Sequence, residues 1–82
     1  MSAEQHWAYR VAKVRYGDED FYDIREYYEM PYGPAWSADP MAPMGESIDD
    51  LIQALRWMLS AAEKAKASPE LVMTLDENGD KA

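Results

Sequence analysis

The chain of 82 residues contains no cysteine and a single histidine. Without thiols it can form neither a disulfide framework nor a thiolate metal site, so its stability must come from packing. No run approaches the roughly 20 apolar residues of a membrane span, and the N-terminal "MSAEQHWAYR" lacks the basic start and apolar core of a signal peptide. These absences predict a cytoplasmic protein of one domain. A domain this short has little room for an internal active site.

Basic residues are also scarce, since eight Lys and Arg stand against sixteen Asp and Glu, for a net charge of −8. Residues 18–50 hold ten of the acids and one base, Arg25. Binding to nucleic acids or anionic membranes depends on Lys and Arg, so the charge predicts no direct contact with either. A protein partner with a basic surface is favoured instead. The hydrophobic content of 48%, with ten aromatic residues, is too high for a disordered chain.

Three strands are predicted in the first half of the chain. "WAYRVAKVRY" (7–16) carries apolar residues on both faces, so either both faces are covered or a bulge switches the facing midway. "GDED" (17–20) indicates a hairpin loop longer than two residues, and 21–29 form the returning strand. A turn rich in Pro and Gly at 30–34 leaves room for a short third strand at 35–38.

One amphipathic helix is predicted in the second half. Ser47 is a suitable N-cap, Asp49 and Asp50 suit the first turn, and Pro69 enforces the end. Apolar residues recur at helical spacing between them, namely Ile48, Leu51, Ile52, Leu55, Met58, Leu59 and Ala62. A last strand over 70–75 and a polar tail over 76–82 follow.

The predicted fold is therefore α+β: a small antiparallel sheet of three to four strands in the order β-β-β-α-β, with the helix packed on one face. We expect one domain over residues 7–75, after a flexible N-terminus of residues 1–6.

The aromatic strand "FYDIREYYE", the loop ending "GES" and the helix "IDDLIQAL" together resemble the HicB-like antitoxin fold. The chain is also similar to a group of small uncharacterised bacterial proteins that share "W-x-Y-R-V" and "P-x-G-E-S". The first resemblance covers roughly residues 7–75. It implies a hairpin and a third strand that lead into an amphipathic helix, and an antitoxin-like role.

No catalytic residue is predicted. His6 lies near a terminus that we expect to fray, and Ser47 is explained by helix capping. Asp49 and Asp50 point about 100° apart on a helix and cannot share a proton. Glu26 interrupts the apolar side of its strand: it lies at an edge or a register break, or it is buried and needs a partner such as Arg10 or Arg15.

No metal site and no cofactor are predicted either. Asp18, Glu19, Asp20 and Asp23 offer oxygen ligands without a defined geometry. "DENGD" places Asp76, Asn78 and Asp80 at the first spacings of a calcium loop, but Lys81 holds the position that needs glycine. We therefore expect a solvated tail.

The candidate partner-binding residues are aromatic and acidic. Trp36 and Trp57 either pack as core or contribute to a docking surface, because tryptophan is enriched at binding hot spots. Tyr32 borders the same loop, where Met30, Met41 and Met44 can form an adaptable rim. The acidic candidates are Asp18, Glu19, Asp20, Asp23 and Glu29.

Two functions from different classes follow. The first is a non-enzymatic protein-interaction module, antitoxin-like or regulatory, with a homodimer through its sheet edges as one form. The alternative is a phage-type acidic inhibitor that imitates phosphate charge and blocks a nucleic-acid-binding protein. A small enzyme is the weakest interpretation, since it requires an ordered pocket around Glu26 or His6.

Overall fold

The structure is a computed structural model that describes residues 7–82. Its elements are β1 (Trp7–Tyr16), β2 (Glu19–Met30), β3 (Gly33–Trp36), the helix α1 (Ile48–Ala67), a 3-10 turn (Pro69–Leu71) and β4 (Met73–Leu75). The strands form one sheet in the order β3-β2-β1-β4. The predicted α+β class, with one helix on a small sheet, is confirmed.

The pairing of β1 with β2 is antiparallel and unbroken, from Trp7 opposite Tyr28 to Tyr16 opposite Glu19. An unbroken register contains no bulge, so successive side chains of β1 point to opposite faces throughout. Val11 is buried on one face, and Ala12 and Val14 are buried on the other. Of the two explanations for the mixed pattern of β1, the structure selects the one in which both faces are covered.

The β1–β2 connection is a two-residue turn, Gly17 and Asp18, so the prediction of a longer loop was wrong. Gly17 has a φ of 62°, and no other residue type has a positive φ in the described chain. A glycine with positive φ at the first central position is typical of the tight type II′ hairpin turn. Glu19 and Asp20, which the sequence analysis placed in the loop, are therefore strand residues that pair with Tyr16 and Arg15.

The last strand runs parallel to β1, from Ala12 opposite Met73 to Val14 opposite Leu75. The sheet is therefore mixed rather than wholly antiparallel. Parallel neighbours need a long connection, and here the chain passes through β2, β3 and α1 before it returns to β1. The helix thus sets the direction of β4.

Two arginines face each other across the central strand pair, Arg10 on β1 and Arg25 on β2. Arg25 is 1% exposed; it donates to both carboxylate oxygens of Asp23, at 2.8 and 3.0 Å, and to the Ala38 carbonyl at 2.6 Å. Arg10 lies 4.4 Å above the Tyr27 ring and donates to the Leu71 carbonyl. The two side chains share one face of the sheet, and their charged groups diverge along it, Arg10 toward the segment before β4 and Arg25 toward the segment after β3.

The first face of the sheet holds the most completely buried side chains, Ala12, Val14 and Leu75, with Trp36 and Met73 packed against them. Residues 76–82 lie on this face. Leu75 forms a bridge with Lys81, and the Trp36 indole Nε1 donates to the Gly79 carbonyl at 2.8 Å. The polar tail is therefore held to the sheet by hydrogen bonds.

The helix covers the second face and begins as predicted. The Ser47 hydroxyl accepts a hydrogen bond from the Asp50 backbone N–H at 3.0 Å, and the helix ends at Ala67, before Pro69. Its buried residues are Ala54, Met58 and Ala65. Two of the three are alanine, which lets the helix lie close to the strands. Trp57 packs edge to face on Trp7, with ring centroids 6.3 Å apart.

Gly79→Ala should destabilise the fold more than Gly17→Ala. Both glycines have positive φ, 84° and 62°, which costs an L-residue about 1 kcal/mol. A Cβ at Gly79 would also collide with the backbone of Ala38, whereas the space around Gly17 is open. We expect a loss of about 2 kcal/mol or more for Gly79→Ala and about 1 kcal/mol for Gly17→Ala in urea unfolding. Equal losses would contradict the close approach of the tail to Ala38.

Arg25→Ala should lower the free energy of unfolding by about 2 kcal/mol, because it leaves Asp23 and the Ala38 carbonyl without their donor. The Asp23 side chain is one-fifth exposed, so water can solvate its carboxylate in the variant. The loss of unfolding free energy is therefore at the lower end of the range for a broken buried ion pair. The control is Arg15→Ala, which breaks an exposed ion pair and should leave the unfolding midpoint close to that of the wild type. Similar unfolding midpoints for the two variants would show that Arg25 is not a structural link.

Candidate partner-binding surface

The acidic candidates are divided between two that have a cationic neighbour and three for which no ion pair is found among the described residues. Asp20 accepts from Arg15 at 2.6 Å and lies 3.7 Å from Lys13, and Asp23 is held by Arg25. The remaining three, Asp18, Glu19 and Glu29, are exposed. Two of the five carboxylates are thus already balanced by neighbours in the same sheet.

The exposed acids also lie far apart. Glu19 begins β2 and Glu29 stands near its other end, and a strand rises about 3.3 Å per residue. Ten residues therefore separate the two carboxylates by about 33 Å. The structure does not bring these acids into one patch.

The aromatic candidates lie on three parts of the molecule. Trp36 is half-buried on the first face and bonded to Gly79. Trp57 is 51% exposed on the helix that covers the second face, and Tyr32 is 84% exposed in the β2–β3 turn. Trp36 therefore serves as a core anchor in this fold, while Trp57 and Tyr32 are accessible. Met30 and Met44 are exposed, and Met41 is half-buried beside β2.

Glu26 and Ser47, two of the residues considered for catalysis, have structural partners. Glu26 is half-buried and accepts a hydrogen bond from the Tyr28 hydroxyl, which raises the pKa of Tyr28. Arg10 and Arg15, suggested as its partners, bond elsewhere: Arg10 lies on the opposite face of the sheet, and Arg15 stands beside Asp20. Ser47 caps the helix, and His6 lies outside the described residues.

Within residues 7–82 no three His, Cys, Asp or Glu side chains are placed to hold a metal ion. The Asp76 carboxylate accepts the backbone N–H groups of Asn78 and Asp80 at 2.8 and 3.0 Å. Its Oδ1 atom thus closes the turn that carries Gly79. The residues at the calcium-like spacing, Asp76, Asn78 and Asp80, thus form a local turn.

A set of large apolar side chains on α1 remains exposed. Ile48 is 77% exposed, Ile52 41%, Leu55 47% and Leu59 59%. We call these four residues the helix stripe. At 100° per residue, the centre of the helix stripe lies about 110° around the helix from the line of Ala54, Met58 and Ala65. The helix stripe therefore faces sideways, away from the sheet that the same helix covers.

Sequence reasoning grouped the helix stripe with the buried residues of α1. The predicted apolar stripe divides in the structure: Met58 is buried and Leu51 half-buried, while its other large members are exposed. The sequence contained a signal for this division, because the apolar residues of α1 span a wider arc of the helix than packing against one sheet requires. Alanines at 54, 61 and 65 mark the side that approaches the strands.

No described helix is long and apolar enough to cross a membrane. No protein-family model, curated protein or solved structure matches the chain. The resemblance to HicB-like antitoxins therefore stays a prediction.

Arg15 should control the titration of Asp20. The hydrogen bond from Arg15 and its positive charge, aided by Lys13, hold the pKa of Asp20 below its ordinary value of 3.8. Because the folded state lowers this pKa, the stabilisation is present above about pH 4 and is lost as the pH falls through the lowered pKa. In an NMR titration, Arg15→Gln should raise the midpoint of Asp20 toward 3.8. An unchanged midpoint would contradict the pairing.

Proposed function

We propose that this chain is a small, acidic, non-enzymatic interaction module of the cytoplasm, antitoxin-like or regulatory, that binds a protein partner. The observation that carries the proposal is the helix stripe. Contiguous large apolar side chains on a monomer surface are typical of protein-interaction sites. Four exposed Ile and Leu on one side of one helix form such a surface in a domain of 82 residues.

The distribution of charge supports an apolar contact over one that imitates phosphate. Asp20 and Asp23 have cationic neighbours in the sheet, and the other candidate acids, Asp18, Glu19 and Glu29, lie near the two ends of β2. The net charge of −8 still favours a partner that is basic outside the apolar contact. The acidic residues then assist the encounter, and the helix stripe supplies the buried area.

Capture from lysate with matched variants tests this function. The immobilised wild type should retain a discrete protein at both about 0.1 M and about 1 M salt, and in the presence of competing DNA. Leu55→Lys should abolish the capture, because it places a charge in the centre of the contact. Ala67→Lys adds the same charge on an exposed position of the same helix and should leave capture unchanged.

A different result would support the phosphate-mimic alternative. If salt or DNA releases the partner, and Leu55→Lys has no effect, the contact is ionic and lies on the acids. The exposed pair Asp18 and Glu19 would then be the residues to neutralise.

A further inference from the structure

The spacing of the helix stripe identifies the kind of surface that it can bind. Ile48, Ile52, Leu55 and Leu59 are separated by four, three and four residues. This is the alternation of the a and d positions of a coiled coil, in which the contact positions repeat every 3.5 residues on average. An exposed seam with this repeat fits the side of another α-helix.

We propose that the occupant of the helix stripe is a second copy of this chain, with the two α1 helices packed side by side and antiparallel. The inference rests on the proposed function, since it assigns an occupant to the same surface. A second copy also carries a net charge of −8, so the apolar layers, and not a basic partner surface, supply the attraction here. Three features favour this occupant: the match of the apolar layers, the charges beside the helix stripe and the position of the sheet.

The apolar layers match in one antiparallel register. With Ile52 opposite Leu55 of the second copy, Ile48 falls opposite Leu59, and the twofold axis generates the two reciprocal layers. Every large residue of the helix stripe then meets a large residue of the other copy. A contact in which each surface is complementary to itself is the form that a twofold dimer requires.

The charges beside the stripe match in the same register. Asp49, Arg56 and Glu63 recur every seven residues along the flank that faces away from the sheet. In an antiparallel pair these flanks adjoin each other. Arg56 then lies about 3 Å along the helix axis from the level of Asp49 in the second copy, and the symmetry forms this pair twice. Asp49 and Arg56 are thus complementary in the register that the apolar layers select, while Glu63 lies beyond the end of the other helix.

The position of the sheet leaves room for the second copy. Trp57 packs on Trp7 at the start of β1, and Ala65 lies beside Val11 further along it. The helix therefore runs in the direction of β1. The centre of the proposed contact falls between Gln53 and Ala54, which precede Trp57. The twofold axis then directs the two sheets to opposite ends of the helix pair.

The acidic hairpins are separated in this arrangement. The turn at Gly17 and Asp18 lies at the far end of β1, about 30 Å from Trp7. Opposite directions of the two sheets place the two hairpins at the outer ends of the dimer. Their separation is several times the Debye length of about 8 Å at physiological salt. Repulsion between the most acidic segments is thereby screened.

Sedimentation equilibrium of the full chain tests the dimer. Four layers form a contact smaller than the standard interface, so we expect a weak, concentration-dependent dimer at about 0.01–1 mM protein. Leu55→Lys should raise the dissociation constant at least about tenfold, and Ala67→Lys should leave it unchanged. Circular dichroism of each variant shows whether the fold is preserved. A wild type that stays monomeric at about 1 mM, or a dimer that is insensitive to Leu55→Lys, overturns the proposal.

The direction of the helices has its own test, because the chain has no native cysteine. A spin label on Ala67→Cys should give a distance of about 40 Å or more between the two copies in the antiparallel register. A parallel pair would place the labels within about 25 Å and would overturn the assignment. Arg56→Glu should weaken the dimer about threefold to tenfold, whereas Lys64→Glu, outside the seam, should not.

The outcome for the dimer is distinguishable from the outcome for the proposed function. A monomeric chain whose capture of another protein still depends on Leu55 retains the interaction function and loses the second copy as occupant. A chain that neither dimerises nor captures a partner through Leu55 loses both.

Discussion

The buried guanidinium of Arg25 is the constraint around which the first face of the sheet is arranged. It stands opposite Arg10, and two like charges on paired strands repel unless each has an opposing partner. Arg25 is directed to Asp23 and to the carbonyls of the segment after β3, while Arg10 is directed to Tyr27 and to the carbonyl that precedes β4. The two arginines at the centre of the sheet thus bind the segment that follows β3 and the segment that precedes β4.

Covering both faces of a four-stranded sheet with 82 residues has a consequence for the helix. The first face is closed by Trp36, the tail and the segment at Ala38, so one helix remains for the second face. That helix approaches the strands through small residues such as Ala54 and Ala65, because close packing requires little side-chain volume. Apart from Met58 and the half-buried Leu51, its large aliphatic residues then have no place between helix and sheet. The exposed helix stripe follows from this division of small and large residues.

Sequence reasoning was most successful where the signal is local. The helix start followed from the Ser47 cap and its end from Pro69. The apolar residues on both faces of β1 left two covered faces or a bulge as explanations, and the structure selects the first. The hairpin loop was predicted too long because all four residues of "GDED" were assigned to it, although Gly-Asp alone is enough for a two-residue turn and the acids that follow are compatible with an exposed strand end. The partners of Arg25 and Trp36 could not be predicted, since they depend on contacts across 13 and 43 residues. The side of α1 that meets the sheet depends in the same way on tertiary packing.

The acidic tip of the first hairpin and the helix stripe lie at opposite ends of this molecule, and that separation determines how a partner can use them. The exposed acids Asp18 and Glu19 lie at the tip of the first hairpin, whereas the helix stripe begins before the point where α1 meets Trp7. A partner seated on the stripe lies about 30 Å or more from that tip, beyond the range of unscreened attraction at physiological salt. The acids at the tip then affect the rate of encounter and the solubility of the chain, while the apolar layers determine how long a complex lasts.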